Sequence, residues 1–288
     1  MMDDIQLWKS NNLSEDERRI ILWNLGFFST AESLTANNIV LGIYSLIRNP
    51  ECRQYLIRQA YEEALHTEMF IYICDSLGLD SDIVYDMYNS VPSIREKDAF
   101  VISLTTCLFD NNFKTDSVEN IRKFVRDLIG YYVIMEGIFF YAGFAVALNM
   151  KRQHKMTAIG KQFEYTLRDE SVHVGFGVNL INTILAENPG VASAEFLAEV
   201  VSLIKEGCRL ESLYIDDACP NGILGITPDS LKRYIQYIAD KRLNQLNLPK
   251  EYNVTNPFPW MSESIDIPRE ANFFETTVTE YSQKQLEW

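Results

Sequence analysis

Histidine is scarce in this chain: only His66, His154 and His173 occur in 288 residues. Cysteine is sparse as well. Cys52, Cys74, Cys107, Cys208 and Cys219 make an odd number, and no two form a C-x-x-C pair. They read as reduced, mostly packed thiols of a cytosolic protein. Basic charge is in deficit. With 26 Lys and Arg against 40 Asp and Glu, the net charge is −14. That excludes nucleic acid as a direct ligand, because phosphate binding needs a basic surface. Strand-like alternation of apolar and polar residues is missing, so the expected fold class is all-α. The acidic opening Met1-Met2-Asp3-Asp4 carries no signal-peptide pattern, and the expected location is cytoplasmic.

What is present is helical periodicity. Ser14-Glu15-Asp16-Glu17 is a capping box that opens a helix expected to reach about Ile47. Pro50 starts the next, which ends near Gly78. Helices are then expected over about Asp82–Asn89 and Ile94–Phe109, with Asp110-Asn111-Asn112 as a loop. Ser117 caps a pattern from Val118 to about Gln153, roughly 54 Å long if unbroken. A distortion is expected within it near Glu136-Gly137, where glycine weakens the helix. Later helices are expected over Thr157–Ala186, Ala194–Asp217 and, opened by Thr227-Pro228, as far as about Asn247. The chain reads as one domain over 1–269 followed by a flexible polar tail over 270–288.

Tyr131 to Met150 carries one charge, Glu136, and is apolar enough to imitate a membrane span. An all-round apolar helix is equally the central helix of a soluble bundle, and that is the reading preferred.

The chemistry lies in two copies of one device. Glu63-Ala64-Leu65-His66 and Glu170-Ser171-Val172-His173 each set a carboxylate and an imidazole three residues apart, on one helix face. Each copy is preceded on the previous helix by a lone carboxylate, Glu32 or Glu136, in apolar surroundings. Two helices with one Glu and two with Glu-x-x-His form the ligand plan of a dinuclear carboxylate site in a ferritin-like four-helix bundle. Four buried carboxylates would repel one another, and two divalent cations balance them. Mixed oxygen and imidazole donors suit iron or manganese rather than structural zinc. A single Glu-x-x-His is usually a surface pair; the duplication carries the inference. His154, in a basic helix-end segment, reads as solvated. Phe139, Phe140, Tyr141 and Phe144 read as core, with Phe140 and Phe144 candidates to wall an oxygen-binding pocket.

With these residues, nearly the whole chain resembles the small, metal-bearing subunit of class I ribonucleotide reductase. The motifs are Glu32, Glu63-x-x-His66, Glu136, Tyr165-x-x-x-Asp169-Glu170-x-x-His173, Asn256-Pro257-Phe258-Pro259-Trp260 and Asn272-Phe273-Phe274-Glu275. The resemblance implies Glu32, Glu63 and His66 on one metal and Glu136, Glu170 and His173 on the other, with Glu63 and Glu170 bridging. It implies that Asp169 hydrogen-bonds His66, that Tyr165 carries electrons during activation, and that Tyr281 passes the oxidising equivalent to the large subunit. It also implies a homodimer, and docking of the large subunit by the C-terminal tail.

Two departures matter. The first ligand of most relatives is Asp and here is Glu32; their radical-bearing Tyr is here Phe70. Both resemble class Ic, the chlamydial type, in which a manganese–iron pair activated by molecular oxygen stores the oxidising equivalent; a di-iron centre is the other option. The family also has some tens of residues before this N-terminus, including a radical-path Trp that Trp8 stands too near Glu32 to match. The chain is therefore expected to be N-terminally shortened and to support nucleotide reduction poorly. The alternatives are a manganese/iron ligand-binding oxidase of the same superfamily and a ferritin-like iron-binding ferroxidase.

Overall fold

The computed structural model describes residues 1–265, and every regular element among them is helical. The longer α-helices are α1 (Met2–Lys9), α2 (Glu15–Asn37), α3 (Pro50–Leu77), α4 (Pro92–Leu104), α5 (Val118–Leu128), α6 (Tyr141–Arg152), α7 (Thr157–Glu187), α8 (Ala194–Ala218) and α9 (Pro228–Gln245). Expected boundaries and observed ones agree closely where capping chemistry is explicit. Ser14 and Glu17 exchange side-chain-to-backbone bonds of 2.8 and 3.1 Å ahead of α2. Asn49 accepts from Cys52 N at 2.8 Å at the start of α3, and Gly78, at φ 68°, ends it.

Two expected helices come in pieces. The 82–89 segment is two short turns, Ser81–Tyr85 and Met87–Ser90. The 94–109 segment is α4 followed by a 3₁₀ turn, Thr106–Phe109. The break has a cause: Asp127 accepts from Cys107 N and Leu108 N at 2.9 and 3.2 Å, giving these amides a partner outside the helix.

The bundle core consists of α2, α3, α7 and the rod formed by α5 and α6. Between α5 and α6 the rod winds as a π-helix over Ile129–Phe139, which contains the expected distortion at Glu136-Gly137. Arg242 from α9, itself buried, donates from Nε to the Gly137 carbonyl at 2.9 Å, so the distorted turn has a fixed external partner. A second π segment, Asn38–Ile43, follows α2 and was not foreseen; it leads into Tyr44–Leu46, close to the expected end at Ile47. There, a Cβ on Gly42 would lie 2.5 Å from Leu108 Cβ, so the segment packs tightly on the 3₁₀ turn.

The rod Val118–Arg152 is long and apolar enough to cross a membrane, yet its most apolar window is wholly buried within the fold. It is the central helix of the bundle, covered on its outer side by α4, α8 and α9. Inside this layer Lys97 and Glu211, both fully buried, pair at 2.6 Å. Lys97 Nζ also sits 3.5 Å from the Phe27 ring centroid.

Candidate metal centre

Each bundle helix delivers its donors at mid-length. Glu32 comes from α2, Glu63 and His66 from α3, Glu136 from the π segment, and Glu170 and His173 from α7. All six side chains are buried. Their donor atoms fall into two groups, each with every atom within 4.8 Å of the others: Glu32, Glu63, His66 and Glu170, and Glu63, Glu136, Glu170 and His173. Glu63 and Glu170 stand in both.

The histidines turn Nδ1 inward. His66 Nδ1 lies 3.4 Å from Glu32, 3.5 Å from Glu63 and 3.3 Å from Glu170. His173 Nδ1 lies 3.0 Å from Glu63 and 3.4 Å from Glu170. Their Nε2 atoms face carboxylates outside the cluster, His66 to Asp169 at 3.2 Å and His173 to Glu62 at 3.0 Å. A carboxylate only accepts, so Nε2 carries a proton in each ring, and a cation held by the cluster would meet the Nδ1 lone pair.

The inward atoms lack hydrogen-bond partners: both oxygens of Glu32, Glu63 and Glu170, Glu136 Oε2, and both Nδ1 atoms. Buried acceptors left this way are costly unless cations meet them. Burial pushes Glu32 well above the usual carboxylate range; His66 opposes that and Glu63 adds to it. Burial, with Glu170 beside it, does the same to Glu136. Burial would lower the histidines, but Glu32 and Asp169 raise His66, and Glu170 and Glu63 raise His173. Protein alone can settle this cluster only by holding protons. Two divalent cations carry the charge of four carboxylates and take the inward lone pairs, so the donor set fits a dinuclear metal site.

An aromatic layer lies one turn away. Phe28 on α2 stacks on Phe140 at 4.6 Å between centroids and meets Phe70 at 5.2 Å and Phe144 at 5.4 Å. Phe70, Phe140 and Phe144 are fully buried. Tyr165, in contrast, is half exposed on the outer face of α7, with Lys161 Nζ 5.0 Å from its ring centroid. His154 is an exposed turn residue at φ 56°, as its setting suggested. Within the Asn256–Trp260 motif, Phe258 is buried against Tyr234 at 5.2 Å. Tyr281, the Asn272–Glu275 motif and the 269/270 boundary lie outside the described residues.

Sequence reasoning missed three contributors. Gln59, one turn before Glu63, donates from Nε2 to Glu136 Oε1 at 3.1 Å and accepts from Tyr132 Oη at 3.1 Å. Glu62 holds His173. Its signal was legible, because both motifs begin with an acidic doublet, Glu62-Glu63 and Asp169-Glu170.

Comparison with known proteins agrees with this geometry. Residues 1–257 match the family described as ribonucleotide reductase, small chain. The chain belongs to that family. The ribonucleoside-diphosphate reductase subunit beta of Chlamydia pneumoniae is 54% identical over 289 residues, a match covering 100% of this chain and 84% of that one. The ribonucleotide reductase R2 subunit from Clostridium botulinum superposes with a TM-score of 0.81 at 25% identity, over 91% of this chain and 81% of that one. An R2-like ligand-binding oxidase from Sulfolobus acidocaldarius shares the fold with a TM-score of 0.66 at 24% identity, over 85% and 82% of the two chains. The reductase small-chain fold is therefore the ferritin-like bundle described above, and the chain is an oxidoreductase subunit of the ribonucleoside-diphosphate reductase kind.

Proposed function

We propose that Glu32, Glu63 and His66 hold one metal ion and Glu136, Glu170 and His173 a second, with Glu63 and Glu170 bridging, in a centre that stores an oxidising equivalent for a large reductase subunit. The observation that carries this reading is the presence of Glu63 and Glu170 in both donor groups. A manganese–iron pair treated with molecular oxygen supplies one-electron oxidising power when bound. The chain's own residues do the rest. His66 and His173 present Nδ1 and keep a proton on Nε2, held by Asp169 and Glu62. Phe28, Phe70, Phe140 and Phe144 exclude water beside the donors and wall the side from which oxygen enters.

Phe70 makes the storage site specific. It stands one turn beyond His66, where most relatives have the radical-bearing Tyr, and it has no phenolic hydrogen to lose. The oxidising equivalent is therefore kept on the metals. Tyr165, one turn before Asp169 on α7, serves electron supply during activation, while Asp169 keeps His66 oriented. The tail, with Tyr281, docks the large subunit and hands the equivalent on; two copies of the chain form the working dimer, in the cytoplasm and away from membrane or nucleic acid.

The test is metal analysis with electron paramagnetic resonance after loading Mn(II) and Fe(II) and admitting oxygen. A mixed-metal signal with about one ion of each per chain is expected. A tyrosyl radical formed with iron alone would sink the manganese–iron assignment. Loss of reductase activity on removing residues 270–288, at unchanged metal content, is the expected outcome for the tail.

A further inference from the structure

The two histidines are braced from behind by unequal devices. Glu62 precedes Glu63 as Asp169 precedes Glu170, so each acidic neighbour holds the histidine of the opposite half. That symmetry fails one turn earlier. Four residues before Glu62 stands Arg58; four before Asp169 stands Tyr165. Glu62 Oε1 accepts from Arg58 Nε at 2.8 Å and pairs with Arg58 Nη2 at 2.6 Å, while Oε2 serves His173. Asp169, 41% exposed in its side chain, meets no Lys or Arg at ion-pair distance among the described residues.

A carboxylate that accepts an imidazole N–H fixes the ring and pushes electron density toward the far nitrogen. A guanidinium bound to that same carboxylate draws part of the charge back. His66 thus has the full charge of Asp169 behind it, and His173 has a partly neutralised one. The lone carboxylates differ in the same direction. Glu136 Oε1 accepts from Gln59, whereas neither oxygen of Glu32 has a hydrogen-bond partner. Ligand types are identical in the two halves; the residues behind them are not.

We propose that Arg58, acting through Glu62, is a positioning residue that makes the His173 half of the centre the weaker metal-binding half. This rests on the dinuclear reading above. The experiment is an anaerobic titration of the full chain with Mn(II) alone. Free Mn(II) is read by electron paramagnetic resonance, and the wild type is compared with Arg58→Gln, Glu62→Gln and the double variant.

The wild type binds two ions per chain in unequal steps. Arg58→Gln, at a side chain 69% exposed, tightens the weaker step by about two- to threefold, the scale of an exposed charge pair. Glu62→Gln loosens that step by about tenfold or more, and adding Arg58→Gln to it changes nothing further. The tighter step stays in place throughout. Equal steps in the wild type overturn the proposal. So does an Arg58→Gln variant with an unmoved weaker step, or one whose effect persists undiminished beside Glu62→Gln. Fewer than two ions per wild-type chain would instead remove the dinuclear reading itself.

Discussion

The ring of Tyr132 occupies the space that a side chain on Gly177 would need: a Cβ there would lie 2.0 Å from Tyr132 Cγ. Gly177 is one turn beyond His173 on α7, and Tyr132 one turn before Glu136 in the π segment. The Tyr132 hydroxyl donates to Gln59, which donates to Glu136. The close approach of α7 to the rod therefore sets where Glu136 stands.

Gly177→Ala is expected to destabilise the fold by about 1–3 kcal/mol through overpacking, and to reduce metal stoichiometry by displacing Tyr132. Gly175 is the control. A Cβ there meets nothing within 4 Å, so Gly175→Ala should be neutral or stabilise by up to about 1 kcal/mol. Denaturant midpoints and metal content read both. Equal effects at the two positions would show that helix propensity, not the Tyr132 contact, governs.

The Lys97–Glu211 pair carries a second expectation. Burial outweighs pairing on both partners: Glu211 is pushed up to about 7 and Lys97 is lowered. Removing one partner, as in Lys97→Met, should destabilise by about 3–5 kcal/mol, whereas Lys97→Met with Glu211→Leu should recover most of that loss. The pH dependence follows from proton uptake. Between the ordinary carboxylate value of 4.5 and about 7 the folded state retains a proton on Glu211 that the unfolded chain releases. This group's contribution to stability thus falls as pH rises through that window. Glu211→Gln should lack this slope in melting profiles taken from pH 4.5 to 7.

Phe70→Tyr adds a hydroxyl to a ring packed between Phe28 and Phe163, at 5.2 and 5.5 Å. Burying that group unpaired should destabilise the fold by about 1–3 kcal/mol. An unchanged melting temperature would mean that the hydroxyl finds an acceptor in the donor cluster, a result that hydroxyl-sensitive vibrational spectroscopy would corroborate.

Metal loading should stabilise the chain, because the inward donor atoms of the cluster have no other partners. At 100 times its dissociation constant, a single bound ion is worth about 2.7 kcal/mol. Calorimetric melting with Mn(II) against chelator measures it, and identical curves would count against the site. Burial raises Glu32 and Glu136 well above the usual carboxylate range, and His66 and His173 are raised by the carboxylates around them, so these groups take up protons more readily as pH falls. Each ion must displace such protons, so affinity should weaken as pH falls.

Sequence alone determined the all-helical four-helix plan and singled out the six residues that the fold gathers into two buried groups, because helical periodicity, capping residues and Glu-x-x-His spacing are local relationships that survive in one dimension. Phe70 and the doublets Glu62-Glu63 and Asp169-Glu170 were equally legible, though the use of Glu62 was not. Only the tertiary structure decided that Glu62 braces His173. That contact crosses from α3 to α7, between residues 111 positions apart, and no local spacing encodes it. The same holds for Gln59 on Glu136, Arg242 on Gly137 and Tyr132 against Gly177. Each is set by how closely two helices pack, a balance of side-chain volumes summed over the whole bundle.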